Sequence, residues 1–403
     1  MIRSLFKKID YEIVLIFDIG SGSVEGSIVK LVKNALPEIL YSYRADLPFR
    51  KTRNAEKLTL LIFQELKSVA AHLSKEGLKH PNFTKLENKK IVKSFLVFSS
   101  PWTLNKTKIV TISNKKEFLV DSNLVDKTIE NEEKNIFESF PEYESESLQI
   151  IEKKAVSILL NGYETTLPYG QKTNEITMTL VFSLITRSLA EKCEEITKKY
   201  FPFTPSEILS FSMVSFTTLR DMFPEERNFM LLDIGSEVTE ITIVRNNAIN
   251  EVISFPSGKN LLIRNVISKM KIEHEMALSL LNTWLEKHTD HISSKKVSDI
   301  ISDTEKEWIS SFQKAVLSDE NKFSIPQTIF ITADSNSGEV FAQFLKNENI
   351  AQFNKTQGKF KTWVIDREKL LTKCIWRIPH SSEPFIAIES IFLNKIFNSD
   401  KQK

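Results

Sequence analysis

The sequence predicts an α/β protein of two similar lobes, with a small α+β domain inserted. Three observations predict it. A strand, turn, strand unit occurs twice, as DIGSGSVEGSIVK from Asp18 and as DIGSEVTEITIVR from Asp233. The copies stand 215 residues apart (233 minus 18), too far for a loop inside a compact domain, so further structure lies between them. Finally, 403 residues with 41% hydrophobic and 26% charged side chains suffice for two or three domains at roughly 150 residues each, which excludes a disordered or fibrous chain.

The elements follow in chain order. Ile2, Leu5, Phe6 and Ile9 share one helical face, with Arg3, Lys7 and Lys8 beside them. Residues 1–9 thus suit an anionic membrane surface, and so short a segment needs a multivalent assembly to hold it there. An apolar run precedes each copy of the repeat, 13–17 or 229–232, and a second strand-like stretch follows each, 38–43 or 249–255. Leu58, Leu61, Ile62, Leu66, Val69 and Leu73 recur at helical spacing, so 58–73 is a helix. Between 90 and 200, strand-like stretches (93–99, 108–112, 175–185) mix with helical ones (124–140 and 188–200, the latter capped by Ser188 with Glu191 three residues on). This block reads as its own α+β domain. From Gly258 onward the periodicity is helical over 261–270, 274–288 and 303–317, broken by a short strand at 328–332.

Charge and composition narrow the function. With 54 Lys plus Arg against 52 Asp plus Glu, the net charge of +2 supplies no basic field for nucleic acid. Cys193 and Cys374 cannot build a disulfide framework, and no secretory leader is recognisable, so a reducing, cytoplasmic location is expected. Apolar runs such as 13–17 fall far short of the ~20 residues that span a bilayer. Only 10 glycines occur, where average usage gives roughly thirty, so their positions are informative.

Several of those glycines lie in the repeat. A strand ending in Asp and followed by a Gly turn sets a carboxylate beside exposed backbone N–H groups, which suits phosphate oxygens and a hydrated magnesium ion. Two such turns facing each other clamp a nucleotide.

On these residues the chain resembles the bacterial actin-like proteins of the FtsA and PilM type. Asp18, Gly20, Ser21 and Gly22 match the family's first phosphate loop, and Asp233, Gly235, Ser236 and Thr239 its second. The likeness runs over roughly 10–397. Residues 253–260, ISFPSGKN, match the following strand and glycine turn, and 384–397 the closing core helix. Asn161, Gly162, Pro168 and Gly170 resemble the FtsA-type inserted domain. The resemblance implies an actin-like, ribonuclease H-like duplicated fold. Residues 10–90 would begin the first lobe, 90–200 form the insert, 201–383 form the second lobe and 384–397 return to the first. It also implies ATP held by both loops with Thr332 and Gly338, and magnesium at Asp18 and Asp233. The implied role is a cytoplasmic scaffold at the inner face of the membrane, with division or pilus proteins as partners and self-assembly into filaments. The alternatives it implies are a pilus-assembly component that binds a short peptide of a membrane partner, and an ATPase that drives polymer turnover.

The departures matter as much. Glu237 stands where the second loop usually has glycine, and Glu240 where it usually has Asp. A Glu237 carboxylate ~5 Å from a phosphate, at an effective dielectric of about 20, would repel it by about 3 kcal/mol. Thr332, Ala333, Asp334 and Ser335 replace the family's Thr-Gly-Gly adenosine turn, with Gly338 later. Residues 384–397 are apolar on nearly all sides, as in a buried helix, and no linker and membrane helix of the FtsA kind are seen, which leans toward the pilus relative, whereas the inserted block leans toward the division relative. His288 and His291, without a third ligand in register, read as a solvated helix end. Cys193 lacks a histidine partner for nucleophilic catalysis, and 131–134, NEEK, is a solvated face.

Overall fold

A computed structural model describes residues 11–400, apart from 53, 166, 287–290, 318–324, 335–336, 347–359 and 379–382. The expectations for 1–9, for Ser335 and for the His288 and His291 pair lie outside the described residues or side chains.

Both copies of the repeat form antiparallel hairpins. Tyr11–Ile19 pairs with Ser23–Val32, and Phe229–Ile234 with Thr239–Arg245. The registers agree, setting Asp18 opposite Glu25 and Asp233 opposite Glu240. The first hairpin lies in a six-stranded sheet of order Ile375–Trp376, Glu38–Asp46, Ser23–Val32, Tyr11–Ile19, Ile91–Phe98, Ser206–Ser210. The second lies in a five-stranded sheet of order Ala248–Phe255, Thr239–Arg245, Phe229–Ile234, Thr328–Ala333, Lys361–Val364.

The helix expected at 58–73 is Ala55–Lys75, started by Asn54, whose side chain accepts from the Lys57 N–H. It buries Ile62, Leu66, Val69 and Leu73 against the first sheet, each worth roughly 1.5–3 kcal/mol. Gly26 permits that approach: a Cβ there would lie 2.5 Å from Val69 and 2.7 Å from Leu73.

Three expectations need correction. The inserted sheet, of order Thr103–Leu119, Lys172–Thr186, Leu148–Leu160, Tyr163–Glu164, spans 103–186 rather than 90–200. Ile91–Phe98 pairs parallel with both Tyr11–Ile19 and Ser206–Ser210, and helix Arg187–Tyr200 buries Leu189, Ala190 and Cys193 in the first sheet's core. An apolar run reads alike whichever sheet it joins, so periodicity assigned these elements wrongly. For the same reason 201–383 is not one lobe, since Ser206–Ser210 and Ile375–Trp376 are strands of the first sheet. Third, helix Arg187–Tyr200 starts one residue before Ser188, with Thr186 at the cap position and no side-chain capping bond.

Helix Phe385–Asp400 closes the fold. It buries Ile386, Ile388, Phe392 and Leu393 beside helix Phe211–Met222. The Val32 N–H donates to Asn394 Oδ1 at 2.7 Å, and the Thr218 hydroxyl to the Ile388 carbonyl at 3.2 Å.

Candidate functional site: the cleft between the lobes

The two loops meet. Each is closed by the same turn bond, Gly20 N–H to Ser23 O at 3.1 Å and Gly235 N–H to Val238 O at 3.0 Å. Asp18, Gly20, Ser21, Gly22, Asp233, Gly235 and Ser236 line a single cavity. Thr332 joins them by donating to Asp233 Oδ1 at 2.9 Å. Thr239 does not reach the cavity, because its hydroxyl donates to the Ser257 carbonyl. Gly338 starts a helix and packs against Val364 instead. The third glycine turn lies on the second loop: a Cβ at Gly258 would fall 2.2 Å from the Gly235 carbonyl, and the Lys259 N–H donates to that oxygen at 2.9 Å.

The loops bond to one another. The Glu237 N–H donates to Ser21 Oγ at 3.1 Å, and a Cβ at Gly22 would lie 1.8 Å from Ser236 Oγ. Around them are buried carboxyls that the sequence reading did not assign to the site. Glu25 and Glu240 lie beside Asp18 and Asp233 by the matched register, Glu240 accepting from Ser100 Oγ at 2.6 Å. Glu389, fully buried in the closing helix, has no hydrogen-bond partner for its carboxyl oxygens among the described residues and lies close enough to Asp18 to feel its charge. Burial pushes Asp18, Glu25 and Glu240 up to about 7, with Arg44 opposing it at the first two and Ser100 at the third. Burial raises Asp233 and Glu389 well above the usual carboxylate range, helped by Glu240 and Asp18 respectively. A signal for two of these was present: Glu recurs in register in both copies. Glu389 was legible as the one carboxylate within the apolar stretch 385–397.

Asp334 behaves oppositely. Burial pushes it up, but the Arg44 guanidinium, 2.6 Å away, and the Lys259 ammonium more than reverse this and hold it at about 2. Glu237 does not face the loops as a bare charge: Arg264 Nη2 donates to its Oε2 at 2.7 Å and Asn260 Nδ2 to its Oε1 at 2.8 Å.

The loops are closed on one another rather than open to a nucleoside triphosphate. The cavity directly between them is about 30 Å³, room for a water or two, and a loop N–H suited to a phosphate oxygen is occupied by Ser21. A neighbouring cavity of about 120 Å³ is lined by Ser21, Gly22, Ser236 and Glu237. A third, of about 280 Å³, is lined by Arg44, Lys259 and Asp334 together with Leu281 and Trp284 among others. Among the described residues, no group of three or more His, Cys, Asp or Glu is arranged to hold a metal.

A second gap lies beside the inserted sheet. Strand Leu148–Leu160 pairs along one edge with Lys172–Thr186, while on its other edge only Leu159 and Leu160 pair, among the described residues. That edge borders a groove of about 1070 Å³, lined by residues 155–158, by Glu164 and Pro168 of the neighbouring turn, and by Arg220 and Asn247. Tyr163, Leu167 and Tyr169 on the same turn are exposed by 79%, 75% and 57%.

No protein-family model matches the sequence, and no curated protein matches it. Solved structures do. A chain of the PilM-PilN type IV pilus biogenesis complex superposes with a TM-score of 0.61 at 12% identity, over 94% of this chain and 98% of that one. MreB 5 of Spiroplasma citri bound to AMPPNP gives a TM-score of 0.43 at 8% identity, over 97% of each chain. The ethanolamine utilization protein EutJ from Carboxydothermus hydrogenoformans gives 0.42 at 10% identity, over 88% of this chain and 84% of that one. The fold is that of the bacterial actin-like proteins, as the duplicated hairpins and the full-length match to the pilus chain require.

Proposed function

We propose that the protein is an actin-like scaffold that grips an extended, apolar peptide of a membrane-anchored partner beside its inserted sheet. The observation that carries this reading is the groove along strand Leu148–Leu160, whose backbone edge, unpaired over most of its length among the described residues, can accept an added strand, while Val156, Ile158 and Pro168 in its lining, and the exposed Tyr163, Leu167 and Tyr169 on the turn beside it, offer apolar contact. The likeness to a chain of a PilM-PilN complex supports a pilus-assembly partner over a division partner. In this reading the protein works by contact rather than by turnover, at the cytoplasmic face of the membrane, with residues 1–9 as a weak basic anchor and filament formation multiplying it. No described helix is long and apolar enough to cross a membrane.

Pull-down of pilus and division proteins on the intact chain tests this, alongside Ser157→Arg and Arg220→Glu, which crowd or recharge the groove. Capture of a pilus component by the native chain, lost in both variants at a temperature where they stay folded, is expected. Equal capture by all three rejects the groove, and capture of division proteins alone moves the scaffold to the FtsA side. Liposome sedimentation with and without residues 1–9 tests the anchor; equal sedimentation discards it.

A further inference from the structure

The two departures in the nucleotide loops, Glu237 and Asp334, each hold cations at the seam between the lobes. Asp334, at the end of strand Thr328–Ala333, receives Arg44 from the first sheet and Lys259 from the helix behind the second loop. Glu237 holds Arg264. The same guanidinium reaches across the seam, its Nε donating to the Arg50 carbonyl at 3.2 Å and its plane lying 5.7 Å from the Phe49 ring. Phe49 in turn stacks on His274 of the second lobe at 4.3 Å. The first-lobe segment 47–50 therefore lies as a strap against the second lobe, one of its residues packing on that lobe's core. With Ser21 bonded to the Glu237 N–H and Ser100 to Glu240, the lobes are tied at the loops and at the cleft mouth.

We propose that Glu237 and Asp334 are built-in anions that take the place of nucleotide phosphates, pairing with Arg264, Arg44 and Lys259 to latch the lobes shut without a ligand. A phosphate would draw cations and loop N–H groups to itself and leave with the nucleotide. Carboxylates fixed in the chain hold the same kinds of group permanently, so closure no longer depends on a bound nucleotide. The charge that the sequence alone presents as an obstacle to phosphate is here the substitute for it.

The test uses the full chain. Calorimetric titration with MgATP and MgADP to about 1 mM, a concentration that reveals any affinity near or below the millimolar level, is expected to give no saturable heat and no shift in melting temperature. Saturable binding overturns the proposal. In parallel, Glu237→Gln with Asp334→Asn removes both charges at nearly constant volume. Small-angle scattering is expected to show a larger radius of gyration for this variant, and its melting temperature should fall below that of the native chain. A folded double variant with an unchanged scattering curve also overturns the latch. If that variant does not fold, Arg44→Gln, which removes only the cation that reaches Asp334 from the first sheet, takes its place in the scattering measurement, where an unchanged curve overturns the latch and an expanded one supports it.

Discussion

The cleft between the lobes and the groove beside the inserted sheet are both gaps between secondary-structure elements, yet their polar groups are treated oppositely. In the cleft, several loop N–H groups and charges are matched across the seam, among them Ser21 with Glu237 and Arg44 with Asp334, while the Glu389 carboxyl has no hydrogen-bond partner among the described residues. In the groove, a strand edge faces open space. Buried polar groups are costly unless matched, whereas an exposed edge is a template for pairing. The comparison teaches that a gap closed by its own side chains and a gap that leaves a strand edge open can stand in one fold.

The largest effect on this contrast is that of pH. Asp18, Glu25 and Glu240 carry carboxyls raised to about 7, so between pH 4 and 7 the folded chain binds more protons than the unfolded one. Their contribution is complete below about pH 4 and is lost as pH rises through about 7. Stability is expected to fall from pH 5 to pH 8 by about 2–3 kcal/mol for each carboxyl that keeps its full shift, and Asp233 and Glu389, raised in the same sense, add to the fall. Asp334, held at about 2, acts in the opposite sense, but only as pH falls below about 4, outside this window. A flat or rising profile from pH 5 to 8 would mean that the acids are not buried together.

Next in size is the removal of Asp334. Asp334→Ala leaves Lys259 without this carboxylate and Arg44 with Asp46 at 3.2 Å and Glu25 at 3.9 Å, and is expected to cost about 1–3 kcal/mol in urea unfolding. An effect below 1 kcal/mol, roughly that of a surface pair, contradicts the latch.

Smaller still is Gly22→Ala. Its Cβ would meet Ser236 Oγ at 1.8 Å, and the forced separation should cost about 1–2 kcal/mol, whereas an open cleft would tolerate the methyl without loss. At the bottom of the scale, Arg220→Glu in the groove gives up the bond to Asp221 and the contact with the Phe216 ring and should cost about 0.5–1 kcal/mol, so partner capture is compared at a temperature where both chains stay folded.

How much was legible depended on whether the cause was local. Asp18 and Asp233 could be paired because a turn's chemistry repeats within a dozen residues, and the structure brings them to one cavity. Helix Ala55–Lys75 was legible from its 3- and 4-residue spacing for the same reason. The membership of Ile91–Phe98 was not, since an apolar strand carries no record of its neighbours. Arg44, Ser100 and Arg264 acquire their roles from residues far away in sequence, at Asp334, Glu240 and Glu237, and no periodicity announces that. Glu237 was visible as an anomaly, but its meaning needed Arg264 beside it.

Hydrogen–deuterium exchange over residues 233–239, with and without MgATP, reads the loop contact itself. With the Glu237 N–H held by Ser21, slow exchange that nucleotide leaves unchanged is expected. Fast exchange that slows on adding MgATP would instead describe a cleft that stands open and waits for its ligand.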